Sequence, residues 1–366
     1  MNMTQLNRRA FLQRTAAAGA AVGLGALAAP ARAATSVNML CWQGYDDPVR
    51  QGSFLADAGI DLQTTFLANN DEILTKLSAG QSIDIVTPYM GYVPAMREGG
   101  LLQPIDESLV PNLSKVLPLF RDDANLNADG RLWAVPFTWG GAPMMYDPKV
   151  FSTPPESWSI VLEPEFKGKF AMMDDPIGQM TIASIILNGP DNPTLITPDQ
   201  LAAVQDWLIN LKKNHARMLA PSFGEAADVL VRGDVQFTFG GWEAMKAWVA
   251  DKGVIDFTYP SEGSYGFIDN YCIPANASNP ELAHALCNQV LDRTAQIFLG
   301  DELIQGAVTQ EGIDGLAPEK RAIYPYDNMT AFQEKCRFYP MTPFVSDGTH
   351  ATWPDWVRAW QGVLAA

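Results

Sequence analysis

Val37-Asn38-Met39-Leu40-Cys41 is a short apolar run that breaks on Trp42-Gln43-Gly44-Tyr45-Asp46-Asp47-Pro48. A run of this length bounded by glycine, aspartate and proline reads as a strand, and the residues just past its end read as the edge of a cleft. Ile60 to Phe66 is a second strand. Asn69 and Asn70 then open a helix through Ile73, Leu74 and Leu77, Gly80 ends it, and Ile83 to Val86 is a third strand. The order is β-α-β-α-β, which sets the fold class as α/β.

The style repeats outward from there. Trp133 to Phe137, Met144 to Tyr146 and Phe170 to Met173 read as strands, the last running into Asp174-Asp175-Pro176. Thr197-Pro198-Asp199-Gln200 is a capping box with proline at the first helical position, followed by Leu201, Val204, Leu208 and Leu211 at helical spacing. Ser222 to Glu225 is a second box; its helix turns at Gly233-Asp234 into a strand from Val235 to Phe239. Asn279 and Pro280 cap a helix with Leu282, Leu286 and Val290 on one face, and the chain closes on a Trp-rich segment from Trp353 to Leu364. There are no repeats, low-complexity runs or long linkers, so two α/β lobes joined by extended crossings fit better than beads on a string.

The first 33 residues stand apart. Arg8-Arg9, a weakly apolar stretch from Ala16 to Ala29 and Ala31-Arg32-Ala33 have the three parts of a Tat signal peptide: a twin arginine, an apolar core and a small-x-small cleavage site. The expectation is a mature chain that begins near Ala34 in a bacterial periplasm. The full chain of 366 residues carries 25 Lys+Arg against 41 Asp+Glu, a net charge of −16; setting aside the four arginines of the leader moves the body to about −20. Such a balance argues against nucleic acid and anionic membrane surfaces, and favours a cationic small ligand. Cys41, Cys272, Cys287 and Cys336 would lie in an oxidising space, where four cysteines allow three full pairings; Cys287, on an apolar helical face with Ala283 and Leu291, also reads as a buried free thiol.

Catalytic signatures are missing. His215, His284 and His350 are far apart and have no metal-ligand spacing, and there is no nucleophile elbow, phosphate loop or dinucleotide fingerprint. An acid-dependent hydrolase survives as an alternative because paired carboxylates have no fixed spacing.

Several segments, in order and spacing, resemble the bacterial extracellular solute-binding proteins, specifically the spermidine/putrescine-binding branch that serves ABC importers. They are Leu40-Cys41-Trp42-Gln43-Gly44-Tyr45, Ser82-Ile83-Asp84-Ile85-Val86-Thr87-Pro88, Met96-Arg97-Glu98-Gly99-Gly100-Leu101-Leu102, Val135-Pro136-Phe137-Thr138-Trp139-Gly140, the Asp174-Asp175 pair, Arg232-Gly233-Asp234-Val235, and Ile268-Asp269 before Ile273-Pro274-Ala275-Asn276. The resemblance implies a type II-like periplasmic binding protein: two α/β lobes, a central cleft and hinge crossings. Lobe one would take residues 34–139 and 270–316, lobe two 140–269 and 317–366. It also implies a small cationic organic solute and an inner-membrane ABC permease with its ATPase; the leader adds the Tat translocase during export, and neither cofactor nor metal is expected.

An organic ammonium needs carboxylates for its charge and aromatic faces that replace water while keeping an electrostatic attraction. The resemblance places these on Trp42, Tyr45, Asp175 and Asp269, with Trp139 and Trp242 as further cage walls. Asp175 before Pro176 also reads as a helix cap, and Trp42 and Tyr45 also read as core residues. Asp269 has Phe267 and Tyr271 on its own side of a strand by the period of two. The chain departs from the polyamine pattern at several positions: Tyr89 and Gly91 replace a small hydroxyl residue and an aromatic, Gly178 replaces a glutamate, Phe239 and Phe267 replace indoles, and a late aromatic falls near Ala307. With one acid fewer, the expected ligand is smaller or less charged than spermidine. The alternatives are an amino acid-like compound, a quaternary amine or an oligosaccharide, with Arg97, Arg232 and Arg337 available to a ligand carboxylate.

Overall fold

The computed structural model describes residues 34–67 and 69–366, so the twin-arginine segment lies outside the described residues. β1 (Thr35–Cys41) is the middle strand of a parallel three-stranded sheet, between β2 (Ile60–Phe66) and β3 (Ile85–Val86). It registers with β2 residue by residue, Thr35 opposite Ile60 through Cys41 opposite Phe66. Met39, Leu40 and Cys41 are all buried, because a central parallel strand is covered on both faces. The helix Asp71–Ser78 turns Ile73 and Leu77 inward, and Gly80, at φ +74°, lets the chain leave it. β4 (Asn127–Ala128) and β5 (Arg131–Leu132) form a small antiparallel pair.

β6 (Val135–Gly141) follows, with every residue buried. A second sheet of five strands is drawn entirely from the middle of the chain: β7 (Met144–Tyr146), β8 (Phe170–Met173), β9 (Met218–Ala220), β10 (Phe237–Thr238) and β11 (Asp256–Thr258), in the order β11-β7-β10-β8-β9. β10 is shorter than the strand expected from Val235 to Phe239. The capping box forms as read: Thr197 Oγ1 accepts the Gln200 amide (3.3 Å) and Gln200 Oε1 accepts the Thr197 amide (2.9 Å), opening the helix Pro198–Asn214. Only part of the second box forms, since the Glu225 carboxylate turns to Arg232 at 3.8 Å. The Asn279 side chain makes no cap for the helix Pro280–Val290; it donates to the Ser36 carbonyl instead.

The third sheet joins the halves. β12 (Ser264–Tyr271) pairs antiparallel with β6, β6 pairs with β13 (Gly306–Ala307), and β12 pairs in parallel with β14 (Cys336–Phe338). β12 packs on the helix Pro176–Asn188 and on β3, so one strand touches the surroundings of both other sheets. The last helix, Trp353–Ala365, buries Trp353, Trp356 and Trp360 against the helices Pro176–Asn188 and Pro198–Asn214, and Trp360 Nε1 donates to Asp174 (2.9 Å). All four cysteines are buried free thiols, Cys287 as the helical pattern indicated. Among the described residues no helix is long and apolar enough to cross a membrane, and no cluster of His, Cys, Asp and Glu is arranged for a metal ion.

Candidate functional site

A cavity of about 370 Å³ opens where β12, the end of β1 and the start of the helix Pro176–Asn188 converge. β12 supplies its spine. Tyr265, Phe267 and Asp269 are spaced by two, so their side chains share one face of the strand, and all three line the cavity. The cavity lining ends there: beyond a register shift against β6 between Asp269 and Asn270, Tyr271 is fully buried and its hydroxyl donates to the Tyr45 carbonyl (2.5 Å). Asp269 and Tyr271 thus both meet Tyr45, the first through its hydroxyl and the second through its carbonyl, with Asp269 in the cavity lining and Tyr271 in the core.

At the Asp269 end, Tyr45 donates its hydroxyl to Asp269 Oδ2 at 2.5 Å. Gly44, at φ +90°, makes the turn that carries Tyr45 back under β1, and the ring meets Phe137 edge-on at 4.9 Å. Tyr89 forms a backbone bridge with Asp269, and its amide is held by Asn70 Oδ1 (3.0 Å). Trp42, Gln43, Asn70 and Gln305 complete this end. Only 7% of Asp269 is exposed, and desolvation pushes its carboxyl up to about 7 against the opposing hydrogen bond from Tyr45. Burial also raises the Tyr45 hydroxyl well above its ordinary range, so it stays a donor.

At the other end, Asp175 occupies the cap position of the helix Pro176–Asn188, with Pro176 first in the helix. Its Oδ2 accepts the Tyr265 hydroxyl at 3.2 Å. Desolvation raises this carboxyl too, opposed by the Gly178 amide and Tyr265. The carboxylate lies near the first helical amides but makes no side-chain cap hydrogen bond, so what it offers from the cap position is an acid facing the cavity. A Cβ at Gly178 would collide with Asp175 Oδ2 and lie 2.8 Å from the Tyr265 hydroxyl, so the glutamate missing here has no room beside this pair. Trp242 packs edge-on against Phe267 (5.9 Å) and Phe223 (6.2 Å), making an aromatic corner.

Seven of the nine residues singled out from the sequence line this cavity: Trp42, Tyr45, Tyr89, Asp175, Trp242, Phe267 and Asp269. Two do not. Trp139 is fully buried, its indole donating to the Ala307 carbonyl (2.9 Å) and packed by Phe120, Tyr324 and Phe332. Phe239 is fully buried between Trp158 and Trp207. Both lie beside strands covered on both faces, where side-chain alternation no longer separates core from cleft. Tyr265, Ile177, Phe223 and Gln305 line the cavity and were missed; the period of two from Asp269 already pointed to Tyr265. The arginines are elsewhere, Arg97 on Glu98, Arg232 on Asp234 and Arg337 on Asp191, and among the described residues no lysine, arginine or histidine lines the cavity.

A third acid lies just behind the wall. Glu243, 1% exposed, accepts the Gly141 amide on both oxygens (3.0 and 3.2 Å) and the Tyr259 hydroxyl, with no cation paired to it among the described residues, and desolvation pushes it up to about 7.

Residues 53–298 match the family model of bacterial extracellular solute-binding proteins. The chain belongs to this family. Over 347 residues the solute-binding protein is 26% identical to a putrescine-binding periplasmic protein of Escherichia coli, covering 88% of this chain and 91% of that one. It is 28% identical over 285 residues to a spermidine/putrescine-binding periplasmic protein of the same organism, covering 75% and 78%. Its fold is similar to the crystal structure of a spermidine/putrescine ABC transporter substrate-binding protein from Streptococcus pneumoniae, with a TM-score of 0.71 at 18% identity over 91% of this chain and 98% of the other. The two-lobed α/β fold and the periplasmic location expected from the sequence both stand, and the protein is a binding component rather than an enzyme.

Proposed function

We propose that this protein binds a polyamine or a related small organic amine in the cavity and delivers it to an inner-membrane ABC permease driven by its ATPase. The observation that carries the reading is the charge inventory of the lining: two carboxylates, Asp175 and Asp269, no base among the described residues, and aromatic faces between them. A cationic centre at each acid exchanges water for a counter-charge and a π-face, with each cation–π contact contributing roughly 0.5–2 kcal/mol. Tyr265 and Asp269, which anchor the two ends, are four residues apart on one strand, about 13 Å. A short aliphatic chain with an ammonium at each end suits that separation. A ligand carboxylate would find no counter-charge, which counts against amino acid-like solutes.

Residues 34–139 with 270–316, and 140–269 with 317–366, act in this reading as the two lobes. Two of the three boundaries, 139/140 and 269/270, fall at the neighbouring strands β6 and β12, so these two crossings can bend together as the cleft closes. Residues 1–33 serve as the Tat address.

The test is thermal unfolding of the mature chain with putrescine, spermidine, a neutral amino acid and a neutral sugar. A ligand at 100 times its Kd stabilises by about 2.7 kcal/mol, a shift of several degrees. Amines are expected to give that shift, putrescine at least as strongly as spermidine. A shift with the sugar or amino acid and none with either amine overturns the ligand class.

A further inference from the structure

Tyr89, Ile177 and Tyr265 line the ligand cavity, and they also line a second, much smaller space of about 10 Å³. Its far side is built by Thr194 and by Tyr339, Thr342 and Trp356 of the C-terminal segment. A space of this size holds one water and nothing larger.

Two of the residues lining this space, Thr194 and Trp356, carry buried polar atoms without a partner among the described residues, Oγ1 and Nε1. Their residues are 7% and 1% exposed. Three of the neighbouring polar groups are already committed, Thr342 donating to the Thr194 carbonyl (3.0 Å), Tyr339 to the Pro190 carbonyl (2.7 Å) and Tyr265 to Asp175 (3.2 Å), while Thr181 and Tyr89 also line the space. A buried donor or acceptor left without a partner costs about 1–3 kcal/mol. Here two residues that carry such groups, 162 positions apart, line one water-sized space.

We propose that this is a built water site, in which one water accepts from Trp356 Nε1 and donates to Thr194 Oγ1. The chemistry selects the occupant. An indole N–H only donates, so an ammonium is excluded at that end, and among the described residues no ionised group lines the space to hold an ion. The water ties the last helix, through Trp356, to the segment carrying Thr194, behind the wall that holds Tyr265 against Asp175. It does not depend on which solute the cavity binds.

The experiment is water-to-indole magnetisation transfer by NMR on the full mature chain with its tryptophans labelled at Nε1. The Trp356 resonance is assigned through its backbone and checked by its loss in Trp356→Phe, so the assignment holds if that variant fails to fold. The wild type is expected to show a cross-peak of long-residence sign between the Trp356 indole proton and water. Thr194→Val, nearly isosteric but without the hydroxyl, is expected to abolish it or reduce it severalfold. No long-lived water at Trp356 in the wild type overturns the proposal, as does a cross-peak unchanged by Thr194→Val.

Discussion

Replacing Asp269 by asparagine separates the stability of the empty protein from its capacity to bind. An unfolded aspartate ionises near 3.9, whereas the native carboxyl holds its proton up to about 7. Between these values the native state binds the extra proton, so its contribution to stability is fully present below about pH 4 and is lost as pH rises through 7. The whole descent is about 4 kcal/mol for three pKa units. Glu243 titrates in the same window and contributes its own descent in both proteins. An asparagine side chain has no charge to desolvate and keeps a carbonyl for the Tyr45 hydroxyl, so the empty Asp269→Asn protein is expected to be more stable than wild type by about 4 kcal/mol at pH 8 and by only about 1.5 kcal/mol at pH 5. Binding goes the other way. Removing one partner of a buried ion pair costs about 3–5 kcal/mol, and the opening of this cavity to solvent favours the lower end, a loss of two orders of magnitude or more in putrescine affinity. In the wild type, protons compete with the amine: affinity is level above about pH 7 and falls roughly tenfold per unit below it. Urea unfolding at pH 5 and pH 8, with calorimetric titration at both, measures all of this. An empty variant no more stable than wild type at pH 8, or one that still binds putrescine within threefold, refutes the assignment of Asp269 as a counter-charge kept at the expense of stability.

Two further substitutions divide cavity from core. Trp139→Ala is expected to cost about 3–5 kcal/mol in chemical denaturation, as a large buried aromatic does, while Trp242→Ala leaves most of the stability and weakens amine binding by about tenfold, one desolvated cation–π contact. Gly178→Ala favours the helix by up to about 1 kcal/mol yet forces Asp175 away from Tyr265, so Tm is expected to hold or rise while amine affinity falls at least fivefold by calorimetry. Unchanged affinity in Gly178→Ala removes Asp175 from the binding argument.

The strands that the sequence reveals best are short apolar runs with clear turn or charged residues at their ends. Ile60–Phe66, Met144–Tyr146 and Phe170–Met173 have the bounds read from their apolar runs, and the Thr197–Gln200 box needs only residues three apart. The two acids stood out for a different reason: Asp175 and Asp269 each follow or interrupt an apolar run, and the structure places both in the cavity lining. Trp139 and Phe239 were misassigned because both stand beside glycine pairs on fully covered strands, and nothing local distinguishes an indole stacked under Tyr324 from one facing a ligand. The bulge at Asp269 is likewise invisible in sequence, since it is set by pairing with Thr138 and Pro136 more than 130 positions away. Gly178 is the instructive position. Read along the chain it is a lost acid; in three dimensions its missing side chain is the space that Asp175 Oδ2 and the Tyr265 hydroxyl occupy. Asp175 is thereby tethered to Tyr265, and in the proposed reading the cavity then offers two acids, enough for a diamine but one short of a full counter-charge set for a triamine.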